Sequence, residues 1–303
     1  MQIVEIATSP GFSLAQTVAP VAWGGGRWPN QDWIQGAAIL VSADRAGHII
    51  RHVTSAQSDA SLLVFRTNRP ELDHQDWTDR VLGARRIAPA IADPVIAAIA
   101  ARYSGMRPFS NGDLFDGIVT AIVGQSISVQ AAAVTERKLA ALFREPIEYG
   151  DRQYWPSPSA EQLANADPAY VRLAGVTQRR ANAIVAIAKL AVNGQLAPAL
   201  DDASDEHLIY ESVLRLPQVG RWTAESVLLW GLGADDAYPV GDVALLRAAR
   251  LAYGRPEMTH TEMNSLSDGW RPGRSWAARW LWINLFGPAP DASPAGEPNP
   301  ILS

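Results

Sequence analysis

The sequence predicts an α+β protein in which an N-terminal antiparallel β-sheet domain precedes a larger bundle of helices. Two β-branched, apolar runs lie on either side of a turn-rich segment at 44–47, a pattern typical of a β-hairpin. From Leu114 to Ile122 the apolar residues recur at helical spacing. We expect the β-domain over 1–87, the helical region over 88–287 and a disordered Pro/Ala/Ser-rich tail over 288–303.

Composition excludes several classes of site. The 303 residues include no cysteine, which rules out disulfides, thiolate metal sites and cysteine-ligated iron–sulfur clusters. No apolar stretch approaches the roughly 20 residues of a membrane helix, and the first residues lack the pattern of a secretion signal. We therefore expect a cytoplasmic protein with no membrane contact. The formal net charge of −5 argues against a broad electrostatic grip on nucleic acid, although a local arginine stripe can still bind phosphate.

The remaining elements follow from local signals. Residues 60–67 read as a further strand, and 71–83 as a helix that closes the β-domain. In the helical region, Asp93 and Pro94 begin a helix, and Thr177 and Gly194 bound another. The segment 111–143 predicts two helices with a break near Gly124, and an aromatic-rich helix ends the bundle at 274–287.

A tight turn joins two helices in "LRLPQVGRWTAESVLLWGLG", residues 214–233. Pro217 stops the first helix, Gly220 can adopt a positive φ, and the second helix begins at Arg221. A turn that opens into a helix N-terminus presents unpaired N–H groups, which suit a phosphate oxygen. The alternative is a hairpin that only connects two packed helices.

Four segments together resemble one family. "LPQVGRWTAESVLLWGLG", "YPVGDVALLRAA", "WRPGRSWAARWLW" and "AIVGQSISVQAAA" are similar, in order and spacing, to segments of the helix-hairpin-helix DNA glycosylase superfamily, in its 3-methyladenine DNA glycosylase II branch. The resemblance covers roughly residues 88–287. It implies two helical subdomains with the active-site cleft between them, and an enzyme of base excision repair.

The resemblance assigns the catalytic role to Asp242, which precedes an apolar helix and is also suited to cap it. A carboxylate near C1′ stabilises the oxocarbenium-like transition state of N-glycosidic cleavage and can orient the attacking water. Family members with a lyase step carry a lysine amine two residues after the hairpin glycine, where this sequence has Trp222. We therefore expect a monofunctional enzyme that leaves an abasic site. The neighbouring Asp235 and Asp236 are expected to be solvated loop residues.

The family positions also suggest a base pocket. An aromatic face attracts bases that are cationic because they are alkylated at N3 or N7, which favours 3-methyladenine and 7-methylguanine as substrates. In the family, a bulky residue fills the gap that the flipped base leaves. That position aligns with Ser126, so we expect Gln125 or Ile127 to take its place. Another position, where the family has an aromatic residue, is Ser226 here. Trp230 and Trp270 are expected to be structural. The predicted pocket residues are Trp222, Trp282, Gln125, Ser126, Ser226 and Tyr238.

The implied partner is double-stranded DNA that contains damaged bases, bound by a monomer. No cofactor is expected and no side chains form a metal site, although hairpin carbonyls can hold a monovalent cation, as in the family. Gln218 replaces the first glycine of the family's hairpin pattern. Arg247 and Arg271 are further members of a phosphate-facing arginine stripe. The predicted DNA-binding residues are Leu216, Gln218, Gly220, Arg221, Thr223, Arg179, Arg180 and Arg274.

Three alternatives stay open at the level of sequence. A glycosylase for oxidised or deaminated bases would face neutral bases and need polar contacts to select them. A non-catalytic helix-hairpin-helix module would have no use for the Asp242 carboxylate, which repels phosphate. A purely structural helical bundle would show no salt-sensitive affinity for DNA.

Overall fold

The computed structural model describes residues 2–23, 26–43, 49–56, 62–196 and 206–290. The N-terminal elements are β1 (Gln2–Ala7), α1 (Leu14–Thr17), α2 (Ala19–Ala22), β2 (Gln31–Ile34), β3 (Ala37–Ala43), β4 (Ile49–Ala56), β5 (Leu62–Thr67) and α3 (His74–Leu82). The later elements are α4 (Pro94–Arg102), α5 (Leu114–Gly124), α6 (Val129–Phe143), β6 (Ile147–Tyr149), β7 (Arg152–Tyr154), α7 (Ala160–Ala164), α8 (Pro168–Val171), α9 (Gln178–Val192), α10 (Glu206–Leu214), α11 (Arg221–Ser226), α12 (Val243–Ala252), α13 (His260–Asp268) and α14 (Arg274–Phe286).

The N-terminal domain is an antiparallel sheet of five strands in the order β1-β5-β4-β3-β2. The predicted pairing of β3 with β4 is confirmed, with Ile39 opposite Val53, while the predicted turn at 44–47 lies outside the described residues. Alternate residues face opposite sides of the sheet. One side packs with Phe12, which precedes α1, and with Leu14 of α1 and Leu82 of α3.

The other side of the sheet is covered by a part of the chain that was expected to be all helical. The short hairpin β6–β7 brings Tyr154 against Ile39 and Val53. The Tyr154 hydroxyl lies 3.1 Å from the Asp32 carboxylate, and Arg152 contacts the same carboxylate at 2.6 Å. Strands of three residues carry too weak a sequence pattern to be separated from loop, which is why this hairpin was missed.

The helices of the second region begin where capping residues predict. Asp93 and Thr177 accept hydrogen bonds from backbone N–H groups of the first turns of α4 and α9. α5 ends at Gly124 and α6 starts at Val129 with Ser128 as its cap, so the predicted break is confirmed. We call residues 125–128 the break segment.

The two domains are joined closely at several points. Phe109 and Ala289 belong to the hydrophobic core of the sheet domain, although both lie beyond residue 87. The N–H of Ala289 donates to the carbonyl of Ala15 at 3.0 Å, and the Trp33 indole donates to the carbonyl of Pro290. The chain is therefore packed as far as Pro290, later than the expected start of the tail, and residues 291–303 lie outside the described part.

A crossing between two glycines sets the distance between α5 and the helix that carries the hairpin. A Cβ built on Gly117 would lie 2.6 Å from the Cα of Gly231. Gly231 belongs to a π-helical segment, Val227–Leu232, which continues α11. Because α5 leads directly into the break segment, this close contact fixes the break relative to α11. Among the described helices, none is long and apolar enough to cross a membrane.

We expect Gly117→Ala to lower the free energy of unfolding by about 1–3 kcal/mol, because overpacking against backbone cannot be relieved by a side-chain rotation. Gly269→Ala is the matched control, since its Cβ would meet no atom closer than 3.4 Å and its φ is −73°. Urea denaturation of both variants measures the difference. Equal stability of the two variants would show that the α5 crossing is not tight.

Candidate active site

The hairpin between α10 and α11 has the predicted helix boundaries but a different turn geometry. α10 ends at Leu214 and α11 begins at Arg221. The residue with positive φ is Gln218, at 62°, whereas Gly220 has φ −104° and ψ 179°. A Cβ added to Gly220 would meet nothing within 4 Å. The expectation of a positive φ at Gly220 was therefore wrong, and the glycine instead leaves open space beside the start of α11.

Asp242 lies at the start of α12 and both of its carboxylate oxygens are bonded. Oδ1 accepts the N–H of Leu245 at 2.8 Å, which makes Asp242 the N-cap of the helix. Oδ2 accepts the indole N–H of Trp222 at 3.2 Å. The carboxylate is half-buried. Trp222 stands two residues after Gly220, so the hairpin and the carboxylate form one site.

The loop before Asp242 is clamped to α14. Asp235 accepts the indole N–H of Trp276 at 2.6 Å and forms an ion pair with Arg86. The carboxylate of Asp236 pairs with Arg271 at 2.5 Å and with Arg274 at 3.0 Å. The two aspartates remain partly exposed, as expected of loop residues, but they also act as structural anchors. They hold the path of the chain that presents Asp242.

The predicted arginine stripe divides into two groups. Arg274, which is 13 % exposed, also donates to the backbone carbonyl of Asp236, and Arg271 is held by the same residue. Both arginines support the loop; Arg274 is largely buried, whereas the Arg271 side chain is 52 % exposed. Arg179, Arg221 and Arg247 are exposed, which leaves them available for a polyanion. Arg180 is half-buried and bonded to the break segment.

The aromatic residues form a cluster that differs from the predicted pocket. Trp282 is 5 % exposed and stacks on Trp230, with ring centroids 5.3 Å apart and an angle of 28°. Trp28 meets Trp230 edge-on at 6.3 Å. Trp230 packs against both hydrophobic cores, in agreement with its expected structural role. Trp282, a predicted pocket residue, is buried in this stack.

A buried cation contacts this cluster. The guanidinium of Arg279 lies 4.6 Å from the ring centroid of Trp230 and donates to the carbonyl of Leu229 at 2.6 Å. Arg279 is 3 % exposed. Burial, with a contribution from the charge of Arg86, lowers the pKa of Arg279 to about 9, so the group is still cationic at neutral pH.

Tyr238 and Ser226 occupy buried positions behind the site. Tyr238 is 3 % exposed, packs edge-on against Trp270, and directs its hydroxyl toward the side-chain oxygen of Asn264. Burial raises its pKa to about 12. Ser226 is 5 % exposed. Both predicted pocket residues thus lie in the core, where Tyr238 supports the Asp242 loop instead of offering an exposed wall.

The break segment lies against the hairpin. The side-chain amide of Gln125 donates to the carbonyl of Gln218 at 2.8 Å and to the hydroxyl of Thr223 at 2.9 Å. Ser126 is exposed with φ 56°, and Ile127 is 40 % exposed. Gln125 is therefore occupied within the protein, and Ile127 is the residue of the break that offers an apolar side chain to the outside.

Side chains suited to a metal do not gather in this site. The described residues contain no group of three or more His, Asp or Glu side chains that could hold a metal ion. At the hairpin, the carbonyl of Gln218 already accepts the Gln125 amide, and that of Leu216 accepts the N–H of Val219. A carbonyl has two lone pairs, so these oxygens retain capacity for a cation.

Comparison with models of protein families identifies the family to which this site belongs. The model of the HhH-GPD superfamily of base excision DNA repair proteins matches residues 119–272, about half of the chain. The matched range includes the break segment, the hairpin and Asp242. The chain belongs to this superfamily. The sheet domain and all of α14 lie outside the matched range.

Relatives named as repair proteins share this region. The chain is 34% identical over 199 residues to a probable bifunctional transcriptional activator/DNA repair enzyme AlkA of Mycobacterium tuberculosis, covering 65% of this chain and 38% of the relative. It is 26% identical over 198 residues to the DNA-3-methyladenine glycosylase of Bacillus subtilis, covering 65% of each protein. The chain thus spans less than two thirds of the length of these relatives.

A solved structure shows that the sheet domain is shared as well. A 3-methyladenine DNA glycosylase from Archaeoglobus fulgidus has a TM-score of 0.74 with 21% identity, covering 94% of this chain and 99% of that one. At this identity the likeness shows the fold alone. It confirms the predicted order of an antiparallel sheet followed by a helical glycosylase fold.

We expect Asp236→Asn to lower the free energy of unfolding by about 1–3 kcal/mol, because Arg274 would remain buried without its charged partner. Asp268→Asn is the matched control: it removes an exposed carboxylate that lies 3.9 Å from Arg271, and should change stability by less than about 0.5 kcal/mol. Chemical denaturation compares the two. A control variant as unstable as Asp236→Asn would contradict the clamp.

Proposed function

We propose that this protein is a monofunctional DNA glycosylase of base excision repair. It hydrolyses the N-glycosidic bond of flipped-out alkylated bases of the 3-methyladenine and 7-methylguanine type, and leaves an abasic site. The proposal rests on the half-buried Asp242 carboxylate, which Trp222 holds beside the hairpin. The hairpin lies within the range that matches the superfamily of base excision DNA repair proteins.

The carboxylate supplies the anion that this reaction needs. As the bond to the base breaks, positive charge develops on the sugar, and a fixed carboxylate close to C1′ stabilises that charge. The bonds from Leu245 and Trp222 hold the carboxylate in one orientation before substrate binds. The same group can orient or deprotonate the attacking water. An N-alkylated base is a good leaving group, so no general acid is required.

The absence of a lyase step rests on the residue beside the hairpin. A Schiff base requires an amine near C1′, and Trp222 holds the position that the family's lysine occupies in bifunctional members. The only lysines in the sequence are Lys138 and Lys189. Lys189 lies near the end of α9, while Lys138 is in the second half of α6.

The hairpin and the exposed arginines provide the grip on DNA. Open space at Gly220 allows a phosphate to approach the first N–H groups of α11. Arg179 and Arg221 are exposed and can pair with neighbouring phosphates. Leu216 and Thr223 support the hairpin from within the protein. Leu216 packs against the hydrophobic core, and the Thr223 hydroxyl accepts a hydrogen bond from the Gln125 amide. We propose that a monomer binds damaged duplex DNA in the cytoplasm, with a monovalent cation at the hairpin carbonyls as a further expectation.

One observation favours a second candidate, a glycosylase for oxidised or deaminated bases. Arg279 places a positive charge against Trp230, which itself stacks on Trp282. A cation on this cluster disfavours a second cation and so weakens the preference for N-alkylated bases. Trp222, which carries no such neighbour among the described contacts, is the indole on which an alkylated base would stack.

We expect Asp242→Asn to reduce single-turnover release of 3-methyladenine and 7-methylguanine by about 10²–10³-fold, since one preorganised electrostatic group contributes on this scale. Affinity for the damaged duplex should be retained, because the phosphate contacts are unchanged. Release at the wild-type rate would exclude the proposed role of Asp242.

A panel of duplexes, each with one defined lesion, tests the substrate class and the absence of a lyase step. We expect release of the methylated bases and strand scission only after treatment with alkali. Release confined to uracil or oxidised purines would favour the second candidate. Nicking without alkali would contradict the argument from Trp222.

A further inference from the structure

Gln125 joins three parts of the site through one side chain. Its amide nitrogen donates to the carbonyl of Gln218 and to the hydroxyl of Thr223, at 2.8 and 2.9 Å. Its amide oxygen accepts Nε of Arg180 at 3.2 Å, and its backbone carbonyl accepts Nη2 of Arg180 at 2.7 Å. The hairpin, α9 and the break segment therefore meet at Gln125, and both polar atoms of its side chain are used.

Two residues with strained backbone conformations lie next to the hydrogen bonds of Gln125. Ser126 and Gln218 adopt positive φ angles of 56° and 62°, and Gln35 is the one other non-glycine residue to do so in the described chain. A non-glycine residue in this region costs on the order of 1 kcal/mol. Strained residues persist where surrounding contacts over-determine them, often at functional sites. Here one strained residue follows Gln125, and the other offers its carbonyl to the Gln125 amide.

This arrangement positions Ser126 and Ile127 through the backbone, whereas Ser128, also exposed, is held by capping α6. Ser126 and Ile127 are exposed and directly follow Gln125. Their position is set through the backbone, which Gln125 and Arg180 anchor. Arg180, expected to contact phosphate, instead holds the carbonyl immediately before the strained Ser126.

We propose that Gln125 is a positioning residue that couples the phosphate-binding hairpin to the break segment. When the hairpin holds a phosphate, the amide bonds place Ser126 and Ile127 at a fixed distance from that phosphate, where Ile127 enters the gap left by the flipped base. This inference rests on the proposed function for the identity of the ligand. According to this proposal, Gln125 contributes to selectivity for distorted DNA, although Ile127 is the residue that fills the gap.

The test uses the full chain and two duplexes, one undamaged and one with a tetrahydrofuran abasic-site analogue. Gln125→Glu keeps the shape and an acceptor for Arg180 but removes both donated bonds. Affinity for the analogue duplex should fall about tenfold, the scale of an unmatched buried polar group. Affinity for the undamaged duplex should change by less than about threefold after correction for charge, because it depends on phosphate contacts.

A 2-aminopurine placed beside the analogue reports unstacking by its fluorescence. The Gln125→Glu variant should not produce this fluorescence signal even at saturating protein. Weaker binding alone would not cause that loss. Gln130→Glu is the matched control, because Gln130 is exposed, lies five positions further along the chain and gains the same charge. Equal losses in both variants, or equal losses on both duplexes, would overturn the proposal.

Gln125→Leu combined with Thr223→Val gives a measurement without added charge. If the bond between the two residues transmits the effect, the double variant should lose less selectivity than the two single variants together. Full additivity would overturn the coupling. If the wild-type protein selects the analogue duplex but releases no base, the proposed activity fails, while the contrast between the duplexes still measures the coupling.

Discussion

The organisation of the site depends on one carboxylate whose position the protein fixes through two hydrogen bonds. Asp242 gives one oxygen to the first turn of α12 and the other to the Trp222 indole. The first bond belongs to ordinary helix capping and the second ties the carboxylate to the hairpin. Because both restraints come from rigid helices, the site is organised without a metal-binding cluster of side chains among the described residues.

The surrounding structure serves this position in two ways. Asp235 and Asp236 bind Arg86, Arg271, Arg274 and Trp276, and so fix the loop that leads to Asp242. On the other side, the Gly117–Gly231 contact brings α5 and its break segment against the hairpin helix. The hairpin, the break segment and the Asp242 carboxylate thus share one framework. The buried charge of Arg279 beside Trp230 bears on which bases the proposed enzyme would accept.

The sequence could predict what depends on local signals. Caps at Asp93 and Thr177, the break after Gly124 and the start of α11 each follow from a few neighbouring residues. The contacts that cross the fold were not predictable in this way. Asp236 looks like a loop residue until Arg274 is brought to it, and Trp282 looks like a pocket residue until its stacking on Trp230 shows that it is buried. The positive φ of the hairpin lies at Gln218, where the family's pattern has a glycine, and not at Gly220.

The most direct test of the central claim is the affinity for a charged transition-state mimic. A duplex with a cationic pyrrolidine in place of the sugar resembles the oxocarbenium ion, whereas the tetrahydrofuran duplex is neutral. The account predicts that the wild-type protein binds the pyrrolidine duplex at least about tenfold more tightly, and that Asp242→Asn removes this difference. An equal preference in both proteins would show that the stabilising charge lies elsewhere.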